Sequence, residues 1–192
     1  MKGYTFASCR WRALDREGDD SCRLARTDVG WILVGHARFR DESGFAALDY
    51  VVRCDQEWST LGADVAGVHQ GREVKLQIVR ENDVWTLNDV QQPKVANSEF
   101  IDFSFTPATN VMPLWKLAGT SSDRVRISAA WLKYPDTELR PLHQEYRKTK
   151  FPGRVTYLAE QTGYKTTLQV DNSRFVTLYP GVWEGEVTHE AT

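Results

Sequence analysis

Apolar and polar side chains alternate along most of this sequence, and that period of two constrains the fold more than any other feature. In residues 124–131, the side chains of Val125, Ile127, Ala129 and Trp131 fall on alternate positions. Successive side chains of a β-strand point to opposite faces, so these four share one apolar face. The pattern therefore predicts a strand with one buried side.

The same alternation recurs along the chain between turn-forming stretches such as 41–44 and 161–163. Short strands separated in this way favour consecutive antiparallel pairing in a meander, barrel or sandwich. The further candidate strands are 31–39, 45–54, 58–68, 74–78, 84–87, 101–105, 138–147, 155–159, 164–170 and 175–179. Helix signals are confined to 112–117, with Pro113 near its start and Gly119 at its end, and weakly to 21–26. We predict an all-β fold with one or two short helices.

A weak internal repeat suggests two similar halves. Residues 71–78 align with 163–170, and Thr86-Leu87 aligns with Thr177-Leu178 after one gap. We expect a single domain over 1–192, with possible half-repeats at about 28–92 and 120–186 joined by 93–119. Chance similarity between two β-hairpins is the alternative.

Charge and cysteine content exclude several functional classes. Lys and Arg number 24 against 26 Asp and Glu, so the net charge of −2 creates no field directed at nucleic acid. The three cysteines stand far apart without a Cys/His cluster, so we expect no metal and no cofactor. The first residues contain neither a continuous apolar signal region nor a lipobox, and no apolar run is long enough to span a bilayer. We expect a cytoplasmic protein without a transmembrane segment.

Motifs of catalysis are scarce. The sequence contains no GxSxG, GxxxxGK[ST], GxGxxG or HExxH. His143 and Glu145 fall on one strand face and could form an acid/base pair, although an exposed polar strand face is the favoured interpretation. Asp102 interrupts an apolar strand, either facing water or orienting a polar headgroup. The basic run 147–150 before Phe151 is typical of a solvated hairpin tip, with an anion site as the alternative.

Aromatic residues are unusually frequent, with seven tryptophans, seven tyrosines and eight phenylalanines in 192 residues. Such rings either fill the core of a curved sheet or line a pocket in it. Tryptophan suits a pocket for an amphipathic ligand, because its body is apolar and its N–H can meet a polar head. The sequence leaves open whether the interior is hollow or packed.

The most distinctive segment is FIDFSFTPATNVMPL at residues 100–114. An aspartate-bearing strand, a Thr-Pro turn, Thr-Asn and a proline-started helical turn follow one another there. Further features are Gly35-His36-Ala37, Gln144-Glu145-Tyr146 and Tyr179-Pro180-Gly181. Together, over roughly residues 10–187, they resemble the bacterial family called putative glycolipid-binding.

The resemblance implies a spiral β-roll, in which a pseudo-dyad relates two antiparallel meanders. It also implies a lipid or glycolipid ligand, since the family is named for its similarity in shape to lipoprotein carriers that hold acyl chains in a curved sheet. Fold alone does not prove function. Without an export signal, the expectation here is a cytoplasmic binder.

Two interpretations of the segment 100–114 remain open. Pro107 forces Thr106 out of the helical region and ends the strand, while Thr109 and Asn110 can cap the following turn. Alternatively, Asp102, Thr106 and Asn110 line the mouth of the roll and bind a headgroup. The candidate ligand-binding residues are Trp31, Tyr50, Trp85, Asp102, Phe103, Thr106, Asn110, Trp115, Trp131, Gln144 and Tyr146.

Three functions are compatible with the sequence. The leading one is a non-catalytic protein that holds a lipid or glycolipid against an aromatic-rich curved sheet. The second is a module whose exposed aromatics dock a protein partner, including a second copy in a homodimer. The third is a hydrolase using His143 with Glu145 or Asp102.

Overall fold

The computed structural model describes residues 4–190, which form fifteen strands, one α-helix and two 3-10 turns. The helix α1 spans Val111–Gly119, and the 3-10 turns span Pro93–Val95 and Ala108–Asn110. The strands are β1 (Tyr4–Ala13), β2 (Glu17–Arg26), β3 (Trp31–Asp41), β4 (Gly44–Cys54), β5 (Thr60–His69), β6 (Arg72–Glu81), β7 (Val84–Leu87), β8 (Val90–Gln91), β9 (Phe100–Phe103), β10 (Arg124–Leu132), β11 (Leu139–Lys148), β12 (Arg154–Ala159), β13 (Tyr164–Val170), β14 (Val176–Tyr179) and β15 (Trp183–His189).

All of these strands belong to one sheet. Strands β1 to β8 form an antiparallel meander, β10 to β15 form a second one, and the two join where β1 pairs antiparallel with β15. Strand β9 lies at the far edge and pairs parallel with β10. The prediction of an all-β fold with short helices is confirmed, and the long open sheet is consistent with the expected roll.

The sheet curls because one of its faces is apolar. Along β4, Ala46, Leu48, Tyr50 and Val52 are buried, while the residues between them are more exposed. A sheet with no second layer can cover such a face only by folding over itself. Strand β9 accordingly approaches the middle of the first meander, where the Ile101 amide donates to the Thr60 hydroxyl at 3.0 Å.

The interior of the roll is packed with side chains. The segment 100–114 runs through it, and its apolar members are almost completely buried. The largest fully buried side chains are Trp85, Tyr50, Tyr146, Phe100, Phe103, Phe105, Phe175, Leu24, Leu33, Leu48, Ile78 and Ile101. The sequence left open whether the interior is hollow or packed. The centre of the roll is packed with protein side chains.

Most element boundaries agree with the sequence pattern, and the exceptions have local causes. The weak helix prediction for 21–26 is wrong, since those residues lie in β2, where cross-strand pairing overrides local propensity. The first strand, Tyr4–Ala13, was not predicted. Strand β5 begins at Thr60 because Trp58 has a positive φ of 74°. Helix α1 confirms the prediction for 112–117 and extends it to Val111–Gly119.

The half-repeats stay a prediction. Strands β3 to β8 and β10 to β15 are each six consecutive antiparallel neighbours, separated by residues 92–123. The aligned segments 71–78 and 163–170 correspond to β6 and β13 in this numbering.

Within residues 4–190, no helix combines the length and the apolar character that crossing a membrane requires.

Candidate functional site

The site is organised by β9, which lies between the two meanders. Its alternation sends Phe103 toward the first meander, where its ring meets that of Tyr50 edge-on at 6.1 Å. Asp102 points the other way, toward β11 of the second meander. Strand β9 ends at Phe103, so Ser104 and the residues after it form a turn rather than the longer strand that the sequence pattern predicted.

Asp102 is a half-buried carboxylate held by an amide. The side-chain nitrogen of Gln144 donates to Asp102 Oδ2 at 2.7 Å and to the Tyr157 hydroxyl at 2.9 Å. The second carboxylate oxygen has only a long contact of 3.5 Å from the Thr109 hydroxyl. Burial raises the pKa of Asp102 to about 6, while the hydrogen bonds from Gln144 and Thr109 act in the opposite direction. Asp102 is therefore ionised at neutral pH and keeps acceptor capacity for a further group.

Asp102 lines a cleft of about 210 Å³ on the inner side of the second meander. Trp131 and Leu142 line it from β10 and β11, and Trp183 lines it from β15, which pairs with β1. The remaining lining residues are Phe103, Ser104, Thr106, Pro107, Asn110, Tyr157, Ala159, Thr162, Tyr164, Tyr179 and Val182. Thus five of the eleven predicted ligand-binding residues meet around one space: four from the segment 100–114, together with Trp131 of β10.

Three tyrosines form one wall of the cleft. The ring centroids of Tyr157 and Tyr179 are 5.8 Å apart, and those of Tyr164 and Tyr179 are also 5.8 Å apart. Burial raises the pKa of Tyr157 and Tyr179 above the usual value, so both are neutral hydroxyls. The wall offers aromatic surface and hydroxyls that donate or accept.

Asn110 and Tyr146 close the inner end of the cleft. The hydroxyl of Tyr146, which is fully buried, donates to Asn110 Oδ1 at 2.8 Å, and Asn110 Nδ2 donates to the Pro107 carbonyl at 3.0 Å. The side chain of Asn110 therefore does not cap α1, contrary to the capping role that the sequence suggested. Its amide is committed to joining the turn to β11.

Thr106 joins the site to a second, sealed carboxylate. Its hydroxyl donates to Asp20 Oδ2, and the Tyr50 hydroxyl donates to the same oxygen at 2.9 Å. The Thr106 hydroxyl also accepts the Ala108 amide at 3.0 Å, which fixes the turn. Asp20 is only 1% exposed, and burial raises its pKa to about 7 against the effect of the two hydroxyls.

The other predicted aromatic residues lie elsewhere. Trp31 and Trp115 stack with Trp58 at ring distances of 4.4 and 5.2 Å, forming a three-tryptophan column at another part of the roll. Trp85 is 1% exposed and donates to the Ser98 carbonyl at 3.0 Å, which makes it a core residue. Tyr50 and Tyr146 are buried behind the cleft, and Gln144 touches it through Asp102.

Sequence reasoning missed the tyrosine wall and Asp20. Tyr157 and Tyr164 fall in the predicted strands 155–159 and 164–170, on the faces that also carry Ala159 and Leu168. That alternation was the available signal, but nothing distinguished the two tyrosines from core residues. The adjacent acidic residues Asp19-Asp20 are typical of a turn, whereas Asp20 lies in β2 with its side chain inside the roll. Its partner Thr106 is 86 residues away in sequence, so no local pattern joins them.

The hydrolase hypothesis has no geometric support. His143 is exposed on the outer face of β11, and its neighbour Glu145 forms ion pairs with Arg126 at 2.7 Å and Arg147 at 3.6 Å. Asp102 lies on the inner face, where it bonds to Gln144 instead. Within the described part of the chain, no group of three or more His, Cys, Asp or Glu side chains could hold a metal ion.

The fold and the cleft define a class of protein: an all-β roll with a packed centre and a small cleft in which a carboxylate faces aromatic rings. The chain belongs to the family described as "Putative glycolipid-binding", whose model matches residues 8–185. It is similar to a DUF1089 family protein from Pseudomonas aeruginosa, with 26% identity and a TM-score of 0.75 over 87% of this chain and 91% of that one. No curated protein matches the sequence.

Proposed function

We propose that this protein binds an amphipathic ligand of the glycolipid type and holds its sugar head in the Asp102 cleft. The observation that carries the proposal is the half-bonded carboxylate of Asp102, fixed by Gln144 at 2.7 Å and lining a cleft with aromatic walls. Membership of a family named for glycolipid binding supports it.

The chemistry of the cleft suits a sugar. A carboxylate accepts hydrogen bonds from hydroxyls, and a hydrogen bond to a charged group is worth about 1.5–3 kcal/mol. Trp131 and the tyrosines supply apolar faces for the C–H side of the ring and hydroxyls for its edge. Such a site rejects a ligand without hydroxyls, because the buried carboxylate would lose water and gain no partner.

The size of the cleft also favours a headgroup. Its volume of about 210 Å³ is below the roughly 300–1,000 Å³ of pockets that enclose drug-sized ligands. The space is large enough for about seven waters at ~30 Å³ each. A long acyl chain does not fit inside it, so the hydrophobic part of the ligand lies outside the cleft.

The test compares two amphiphiles with the same tail. Titration calorimetry below the micellar concentration measures binding of a panel of octyl glycosides and of an octyl oligo(ethylene glycol) ether. We expect saturable binding of at least one glycoside, weakened about tenfold or more in Asp102→Asn, because the variant loses a charged acceptor.

His143→Ala is the matched control, since His143 is exposed on the opposite face of the sheet. Its affinity for the glycoside should equal that of the wild type. Equal binding of the ether and the glycosides, or wild-type affinity in Asp102→Asn, would refute the assignment of the cleft to a sugar head.

The interaction-module alternative, including a homodimer, stays a prediction. The outer side of the first meander exposes Val34, Leu61 and Val79 by 45%, 42% and 39%. Light scattering over a range of concentrations measures the oligomeric state, and a monomer at all of them would contradict the homodimer.

A further inference from the structure

A second groove lies between the end of α1 and the hairpin that joins β11 to β12. Its volume is about 300 Å³, and it shares no lining residue with the Asp102 cleft. Leu114 and Leu117 of α1 form one side of its floor, and Val155 and Val170 form the other. These four aliphatic side chains give the groove an apolar floor.

Three cations surround this apolar floor: Lys148, Arg154 and Arg174. Among residues 4–190, none of the three forms an ion pair with a carboxylate, whereas Arg147 of the same hairpin pairs with Glu145. The groove is lined by no acidic residue. Its uncompensated positive charge is complementary to an anion.

The side chain of Arg174 is held in place by an aromatic ring. Its guanidinium lies over the Trp115 ring at 5.3 Å, which fixes the side chain by a cation–π contact. Its Nε is buried and has no acceptor among the described residues. Arg174 lines the groove, where its guanidinium can form charge-assisted hydrogen bonds to an anionic group.

The hairpin tip presents a further apolar group beside the cations. Phe151 is 52% exposed, with Lys150 Nζ at 5.1 Å and the Arg154 guanidinium at 5.4 Å from its ring centroid. The tip is ordered by Thr149, whose hydroxyl accepts the Phe151 amide at 3.1 Å. An exposed aromatic ring between cations matches the boundary between the tail and the head of an anionic amphiphile.

We propose that this groove is a binding site for a single-chain anionic amphiphile. The acyl chain lies on the leucine and valine floor, and the anionic head contacts Arg174, Lys148 and Arg154. This assignment goes beyond the sugar-binding cleft and does not depend on it. Of the basic run 147–150, it assigns Lys148 to an anion site, the alternative that the sequence left open.

The test uses dodecanoate and dodecyltrimethylammonium, which have the same chain length and opposite charge. Binding is followed below the micellar concentrations by calorimetry and by tryptophan fluorescence, since Trp115 lies directly behind Arg174. We expect dodecanoate to bind saturably and the cationic amphiphile to bind at least about tenfold more weakly.

The decisive variant is Lys148→Glu with Arg154→Glu, at two exposed positions where folding is not at risk. It should weaken dodecanoate binding by about tenfold or more. The control is Lys165→Glu with Arg72→Glu, an equal change of charge at exposed positions outside the groove lining, which should bind like the wild type.

Three results would overturn the proposal: equal affinity for the two amphiphiles, wild-type affinity in the groove variant, or equal loss in the control variant. Binding of anionic vesicles without binding of monomeric dodecanoate would also contradict it, since the groove would then recognise only a membrane surface. Asp102→Asn should leave dodecanoate binding unchanged, so failure of this site and failure of the sugar cleft are distinguishable.

Discussion

The roll contains two inward-facing aspartates with opposite surroundings. Asp20 of the first meander is 1% exposed and accepts hydrogen bonds from Tyr50 and Thr106. Asp102, on the edge strand of the second meander, has one oxygen held by Gln144 and lines an open cleft. The first carboxylate is closed off from solvent and bonded by two hydroxyls of the protein, whereas the second keeps capacity for a ligand.

The two sites differ in how closely the backbone approaches the aromatic rings around each aspartate. Gly35 lets the Tyr50 ring lie flat against β3, because a Cβ at this position would be 2.1 Å from Tyr50 Cζ. The hydroxyl of Tyr50 thereby reaches Asp20 and seals it. Around Asp102, large rings stand apart and enclose 210 Å³. The same residue type thus serves packing in one half and, in our proposal, recognition in the other.

Gly35→Ala should have the largest effect on this contrast. The new methyl group would displace Tyr50 and remove one of the two hydroxyls that donate to Asp20, so overpacking and a broken buried hydrogen bond add to about 4 kcal/mol of lost stability. Urea unfolding followed by tryptophan fluorescence measures it. The control Gly119→Ala, where a Cβ meets nothing within 4 Å, should change stability by less than about 1 kcal/mol. Similar losses in both variants would contradict the sealed packing around Asp20.

The two aspartates should also differ in their effect on the pH dependence of stability. Asp20 has a pKa of about 7 in the folded protein against a usual value of 3.8, so the folded state binds its proton more tightly. The contribution of Asp20 to stability is therefore largest near and below pH 4 and falls as the pH rises toward 7, by about 3–4 kcal/mol. Asp20→Asn should flatten that fall more than Asp102→Asn, whose carboxyl has a pKa of about 6. Urea midpoints from pH 4 to pH 8 measure the slopes, and the reverse ranking would contradict the assignment.

Two threonines in the same turn provide a matched pair. Thr106→Val removes the hydroxyl that bonds Asp20 and leaves the Ala108 amide without an acceptor, which should cost about 2 kcal/mol. Thr109→Val removes only long contacts, 3.5 Å to Asp102 and 3.4 Å to the Phe103 amide, and should cost less than about 1 kcal/mol. Denaturant unfolding of both variants at one pH makes the comparison. A larger loss in Thr109→Val would show that the open site carries more stability than the sealed one.

The smallest expected effect concerns ligand affinity. If the ionised carboxylate of Asp102 accepts the sugar hydroxyls, a pKa of about 6 predicts glycoside binding about fourfold weaker at pH 5.5 than at pH 7. Calorimetry at the two pH values measures it, and the dependence should vanish in Asp102→Asn. An unchanged pH dependence in that variant would assign the titration to another group.

The local elements followed from the sequence because alternation is a property of neighbouring residues. Val125, Ile127 and Ala129 share the inner face of β10 as predicted, and helix α1 forms where Pro113 and Gly119 indicated it. Strand β2 shows the limit of this reasoning. Its residues 21–26 have a weak helical pattern, yet pairing with β1 and β3 on both sides makes them a strand.

The cleft was predictable in part for a similar reason. Asp102, Thr106 and Asn110 come from one short segment, so their proximity was implied by the chain itself. The tyrosine wall comes from β12, β13 and β14, and its position opposite Asp102 depends on how far the sheet curls. Trp31 and Trp115, equally aromatic, stack with Trp58 instead.

The sequence by itself determined most of the strands, their inner and outer faces, the short helix and the unusual character of residues 100–114. These depend on side-chain period, turn residues and proline geometry, which act over a few residues. Only the tertiary structure decided that Asp20 is sealed, that Asp102 opens to a cleft and that the cations near Phe151 surround an apolar groove. Those outcomes depend on which surfaces the curling sheet brings together, and contacts between distant segments leave no local pattern in the chain.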